Sequence, residues 1–184
     1  MSKSRAVIFR GIAERNSNAM QLLNSPGDYA RVFRGVPRAI VMKCPDDCGE
    51  TLTINLDGRT GPAWRIFERA GRLTIYPSVW KDSGCRSHFI VWNDQLLWCD
   101  DQDIAAWDDP ALLSAVRRLL PAANAAHRHF EEIATELQAV PWEVLWACQA
   151  LERSGVAEAL ERGSKFRAAS GTRIRSNNNK DICT

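Results

Sequence analysis

The sequence predicts an α+β chain in two parts, and three observations predict it. From Pro26 to about Cys99, short runs rich in β-branched and aromatic residues alternate with Gly, Pro, Asn and Asp, the texture of a compact module of short strands. Beyond Asp109-Pro110 the apolar residues recur at helical spacing instead. The charge also changes sign along the chain. Residues 1–43 hold eight basic and two acidic side chains, a net +6, whereas residues 100–150 hold three basic and nine acidic, a net −6. The divisions that follow are a basic arm or helix at 1–23, a β-rich module at 24–99, a helical module at 100–168 and a disordered tail at 169–184.

Each element has a local cause. Residues 1–24 have weak helical spacing and read as a helix or an arm. Strands are expected at Tyr29–Phe33, Ala39–Met42, Thr51–Leu56, Ala63–Phe67, Leu73–Tyr76 and Phe89–Trp92. Thr51 to Leu56 alternates polar and apolar, so one face is expected to be buried, and Asp57-Gly58 supplies the turn after it. Asp100 to Asp109 is an acidic connector whose final Asp-Asp-Pro sets up a helix start with proline near its first position. Leu112, Leu113, Val116, Leu119 and Leu120 share one helical face. Phe130, Ile133, Ala134 and Leu137 make a second helix. Trp142, Leu145, Trp146, Gln149 and Leu151 lie on a third that begins at Pro141 and ends at Gly155.

Composition excludes several functions. The chain has 184 residues, 45% hydrophobic and 25% charged, with a net charge of +2, ordinary values for a protein that buries a core. Such balance argues against a broadly basic nucleic-acid coat or an acidic tail protein. No apolar run approaches the roughly 18 residues of a membrane span, so no membrane role is expected. The N-terminus, with only Ala6 to Phe9 apolar between charges, does not read as a signal peptide, and the expected compartment is the cytoplasm.

Without an export signal, clustered cysteines are better read as metal-binding or reactive than as disulfides. Cys44-Pro45-Asp46-Asp47-Cys48-Gly49 sets two thiols in a tight turn, and Cys85-Arg86-Ser87-His88 sets a thiol and an imidazole in another. Two such knuckles joined by strands are how a zinc ribbon or a related β module presents four ligands to one tetrahedral Zn2+. Gly49 and Gly84 suit turns that need permissive φ. The plainer alternative is buried apolar thiols and a satisfied core histidine. Cys99, at the end of the last strand, competes with His88 as fourth ligand, so the metal set is four of Cys44, Cys48, Cys85, His88 and Cys99. With three ligands and an open position, zinc could instead activate water, with Glu50 as base. Cys148 and Cys183 read as non-ligands.

Tyr76-Pro77-Ser78-Val79-Trp80 is the other unusual stretch. A nucleophilic Ser78 requires His88 or another base within hydrogen-bond reach; taken locally, it reads as a turn serine that satisfies the backbone. Ser87 is the poorer partner for His88, because neighbours on a strand point to opposite faces.

These residues also carry a resemblance. The run Asn24-Ser25-Pro26-Gly27-Asp28, Arg34-Gly35-Val36-Pro37-Arg38, Cys44 to Glu50, Asn55-Leu56-Asp57, Gly61-Pro62-Ala63-Trp64-Arg65, Tyr76 to Trp80, Cys85 to Phe89 and Trp98-Cys99 resembles a bacterial family catalogued as domain of unknown function 6527. Its members are found beside bacterial ubiquitin-like conjugation genes. The resemblance, over about residues 24–99, implies a zinc-bound module with ubiquitin-like, activating-enzyme-like and conjugating-enzyme-like partners in antiviral (phage) defence. It further implies a peptidase or esterase that processes or removes the ubiquitin-like protein; the candidate catalytic residues, read from the residues themselves, are Ser78, His88 and Glu50. Many relatives have a third cysteine inside the first knuckle, where this chain has Asp46-Asp47, which raises the importance of Cys99 or His88.

The helical half lies outside that resemblance and looks like a winged helix-turn-helix, with Leu160 to Ala168 as wing. Its would-be recognition helix offers Trp142, Glu143, Trp146, Gln149 and Glu152, with Arg153 its only cation. DNA affinity rests on Lys and Arg neutralising phosphates, so nucleic acid is a poor fit, although Arg162, Lys165, Arg167, Arg173 and Arg175 lie beyond the helix. His127 and His129 read as surface residues. The competing reading of the whole chain is a non-enzymatic zinc-ribbon plus winged-helix adaptor or DNA-binding regulator.

Overall fold

A computed structural model describes residues 3–99 and 109–170, which fall into two units by their internal contacts, and each unit is taken by itself. The acidic connector, the end of the tail, Arg173, Arg175 and Cys183 lie outside the described residues. The chain is a mixed α+β protein, with its sheets concentrated in the first unit and most of its helix in the second. Among the described residues, no helix is long and apolar enough to cross a membrane.

The first unit runs β1 (Ile8–Ala13), α1 (Asn16–Gln21), β2 (Asp28–Arg34), β3 (Val36–Lys43), β4 (Thr51–Asn55), β5 (Arg65–Arg69), β6 (Arg72–Trp80), β7 (His88–Trp92) and β8 (Gln95–Trp98). One sheet has the order β1-β2-β3-β4, with β1 parallel to β2 and the other pairs antiparallel. The other, β5-β6-β7-β8, is antiparallel throughout. Alternation along the strands turns Ile40, Met42 and Ile54 of one sheet and Leu73, Ile75, Val79, Phe89 and Val91 of the other into a single core. The back of the first sheet buries Ala30, Val32, Ala39 and Val41 against Ala19 and Leu23, from α1 and the residues just after it.

Residues 8–13, read as part of a helix or arm, form β1 instead. Their apolar spacing is compatible with a helix, but pairing with Asp28–Val32 satisfies their backbone. The turn into β2 is built around Asp28, which is fully buried. Its Oδ2 accepts the N–H groups of Asn24 and Ser25, both at 2.9 Å, and its Oδ1 lies 2.8 Å from Arg10 Nε, an ion pair without the angle of a directed hydrogen bond. Gly27 is obligatory here. Its φ is +83°, and a Cβ would stand 2.5 Å from the Ala6 carbonyl oxygen.

The second unit runs α2 (Pro110–Leu119), β9 (Arg128–His129), α3 (Phe130–Leu137), α4 (Pro141–Arg153), β10 (Ala157–Leu160) and β11 (Lys165–Ala168). The helix start at Asp109-Pro110 forms as the sequence expects: the Asp109 side chain accepts Leu112 N–H at 2.9 Å, with Pro110 in the first turn. The three strands have the order β10-β11-β9. Val116, Phe130, Ile133, Val144, Ala147, Leu151 and Phe166 are buried. Neither histidine is a simple surface residue. His129 caps α3, its Nδ1 accepting Glu131 N–H at 3.3 Å, and the His127 side chain is only 13% exposed, 3.9 Å from Glu158.

Candidate functional site

Two arrangements meet on the segment from Cys85 to His88. The first is a group of thiols. Cys44, Cys48 and Cys85 bring their sulfurs within 4.8 Å of one another, and Cys44 and Cys85 are 3.7 Å apart. The first knuckle is closed by Cys44 N–H donating to the Glu50 carbonyl at 2.8 Å and Asp47 N–H to the Cys44 carbonyl at 3.2 Å. It turns through positive φ at Asp47 and Gly49, and the second through positive φ at Gly84 and Arg86. Gly84 also leaves room for a neighbour, since a Cβ there would stand 2.5 Å from Lys81 Nζ and 2.9 Å from Glu50 Oε1.

The thiols fit a tetrahedral metal. A Zn–S bond of about 2.3 Å in tetrahedral geometry places sulfurs roughly 3.8 Å apart, close to the Cys44–Cys85 spacing. Burial pushes the Cys44 thiol up to about 12. For Cys85, burial works in the same direction, but hydrogen bonds from the Ser87 hydroxyl and N–H and from the other thiols outweigh it and hold the thiol below its ordinary value. Ser87, itself buried, lies 3.5 Å from both Cys44 Sγ and Cys85 Sγ. Thiols bind a metal as thiolates, so a cation held here would displace their protons.

The second arrangement is Ser78 and His88. The β6–β7 ladder pairs Ile75 with Val91 and Val79 with Phe89, so β6 carries two more residues than β7 across that interval. The excess falls on Tyr76-Pro77-Ser78, where the Tyr76–Pro77 peptide is cis. Val79 and Phe89 turn into the core. Ser78, Trp80 and His88, one residue away on either strand, therefore turn to the opposite face. There Ser78 Oγ and His88 Nε2 are 3.0 Å apart. The Trp80 ring, 67% exposed, stands 6.1 Å from the imidazole. Behind the serine, Trp64 Nε1–H donates to the Ser78 carbonyl at 3.1 Å.

The candidate residues thus divide. Cys44, Cys48 and Cys85 come together. His88 lies outside that group and against Ser78 instead. Cys99 also lies outside it: its N–H donates to the His88 carbonyl at 3.0 Å, and its sulfur is disulfide-bonded and so not available to a metal in this structure. Glu50 is exposed and pairs with Lys81, Oε2 to Nζ at 2.9 Å, which raises the Lys81 pKa. Cys148 is buried in α4 and pushed up to about 12 by desolvation. Sequence reasoning missed Trp64 and the inward-facing Ser87. Ser87 had a signal, since its strand parity opposite to His88 sends it toward the thiols.

Residues 16–99, a little under half of the chain, match a protein family described as bacterial ubiquitination-like system serine protease (BubE). The match links this stretch to a bacterial ubiquitination-like system, under a different family name from the one the sequence resembled. No curated protein and no solved structure matches the chain.

Proposed function

We propose that this protein is a serine hydrolase of a bacterial ubiquitination-like system, cleaving the acyl linkage at the C-terminus of the ubiquitin-like protein. The observation that carries the reading is the 3.0 Å contact between Ser78 Oγ and His88 Nε2. A serine hydroxyl is a weak nucleophile until a base at this distance takes its proton. In the reaction, Ser78 Oγ bonds to the acyl carbon while His88 Nε2, neutral and protonated on Nδ1, accepts the hydroxyl proton. As the bond to the leaving group breaks, His88 returns that proton to it. Water then attacks the acyl-serine by the same proton transfers, releasing the acid and regenerating Ser78. Glu50 is left out of this scheme, because its carboxylate is engaged by Lys81 on the knuckle side.

Zn2+ at Cys44, Cys48 and Cys85 would supply cross-linking rather than chemistry on the substrate. Ser87, against two of the thiols, directly precedes His88, so a locked knuckle fixes where the imidazole begins.

The second unit we read as a winged-helix-like docking module. Its order of helix, strand, helix, helix, strand, strand supports this, as does the sheet order β10-β11-β9. Trp142, Glu143 and Trp146 on α4 are buried, which favours packing over groove reading. Retardation of duplex DNA at low salt would count against it. We place the whole in the cytoplasm, in antiviral defence, with the ubiquitin-like protein and its activating and conjugating enzymes as partners.

The test is direct. Purified, zinc-replete protein is incubated with a precursor or conjugate of the ubiquitin-like protein, beside Ser78→Ala and His88→Ala variants checked for metal content. Cleavage by wild type and by neither metal-loaded variant is expected. Equal cleavage by Ser78→Ala would overturn the mechanism.

A further inference from the structure

A cavity of about 520 Å³ is lined by Arg34, Arg38, Asp57, Arg59 and Thr60. Three guanidinium groups here face one carboxylate. Asp57 is held by Arg38 and, in a bidentate fork, by Arg59, with Nε 2.8 Å from Oδ1 and Nη2 2.7 Å from Oδ2. Arg34 is exposed and makes no ion pair among the described residues, and the Nε–H of Arg38 is buried without an acceptor. Donors and positive charge exceed what Asp57 can satisfy, and the excess is two charges.

A loop rich in internal hydrogen bonds also ties the pocket to the serine strand. Asn55 Nδ2 donates to the carbonyls of Asp57 and Pro62 at 3.1 and 2.9 Å, and its Oδ1 accepts from Asp57 N–H at 3.0 Å. The Thr60 hydroxyl donates to the Asp57 carbonyl at 2.9 Å. The loop ends at Trp64, whose N–H donates to the Asn55 carbonyl at 2.8 Å and whose indole holds the Ser78 carbonyl. Arg59, on a loop with this many internal bonds, and Arg38, on β3 and paired to the same Asp57, are pre-organised for an anion.

We infer that the Arg34, Arg38 and Arg59 pocket is a substrate subsite that takes acidic side chains of a peptide bound at Ser78. The inference rests on the hydrolase reading for its substrate class. A carboxylate is the anion that an unmodified peptide carries, and Arg59 already holds one here in a bidentate fork.

Binding is measured by fluorescence anisotropy on the full-length Ser78→Ala chain, with a fluorescein-labelled Gly-Ser peptide carrying glutamates and its glutamine counterpart. The glutamate peptide is expected to bind roughly tenfold more tightly, as charge-assisted pairing to arginine requires. The preference should vanish in an Arg34→Ala, Arg59→Ala double variant. Arg34→Glu, which leaves the Asp57 bonds untouched, should reverse it. Equal binding of the two peptides, or a preference that survives both variants, overturns the subsite. Displacement of the glutamate peptide by micromolar inorganic phosphate overturns its assignment to carboxylates. Because binding is read without turnover, failure of the hydrolase reading leaves the charge preference standing, and an active Ser78 with no charge preference removes the subsite alone.

Discussion

His88 Nε2 sits 3.0 Å from Ser78 Oγ because β6 spends two extra residues against β7 just where the serine falls. Past the bulge Val79 pairs with Phe89 in the core and Trp80 with His88, which leaves Ser78 diagonal to His88 on the outer face. A nucleophile in such a setting is labelled by a fluorophosphonate. We expect labelling of wild type, none of Ser78→Ala, and a loss of about 10²–10⁴ in labelling rate for His88→Ala, the usual worth of a general base. Mass spectrometry of the adduct identifies the modified residue, and an adduct elsewhere in the chain would refute the pairing.

What was legible in the sequence was local. The strand runs from Tyr29 to Trp92, the Asp109-Pro110 helix start and the first knuckle are signalled by neighbours in the chain, and each appears where its residues place it, whereas of the second knuckle only Cys85 joins the thiols. The contact between Ser78 and His88 was not legible, because it depends on the register between two strands, and a bulge cannot be counted from one of them. Strand β1 was missed for the same reason: its partner lies beyond α1, and Ile8, Phe9 and Ile12 suit a helix as well as an edge. Cys99 read as an alternative to His88 because it closes the last strand, and in the structure it lies outside the group of three thiols.

The thiol group makes a separate prediction about metal. Wild type is expected to hold zinc and Cys85→Ser to lose most of it, as read by elemental analysis. A metal present at about a hundred times its Kd adds roughly 2.7 kcal/mol to the folded state. Chelation should therefore lower Tm by on the order of 10 °C for a unit of about a hundred residues. Serine labelling should fall with it, since Ser87 bridges the thiols to His88. A chelated protein with unchanged Tm and undiminished labelling would separate the knuckles from the site.

Trp64 acts on Ser78 from behind, through the carbonyl rather than the hydroxyl. Trp64→Phe keeps most of the ring and removes the indole donor. The loss of one hydrogen bond costs about 1 kcal/mol of stability. If the bond also holds the bulge, labelling should slow several-fold while circular dichroism stays native. Wild-type labelling kinetics in this variant would show that the bulge is held by the ladder alone.

Asp28 gives a pH dependence whose sign can be worked out. Burial alone would raise its pKa, but the N–H groups of Ser25 and Asn24 and the Arg10 guanidinium outweigh burial and hold the carboxyl below its ordinary value. A group depressed in the folded state contributes stability that is fully present above its unfolded pKa, about 3.9, and is lost as pH falls through the folded one. Asp28 therefore contributes in full at neutral pH and progressively less below about pH 4. Asp28→Ala leaves two N–H groups of a tight turn without their acceptor and should cost about 1–3 kcal/mol at pH 7. The difference between wild type and variant, read from urea unfolding at several pH values, should shrink toward acid. A difference that stays constant from neutral pH down to about pH 3 would mean that Asp28 acts through shape rather than charge.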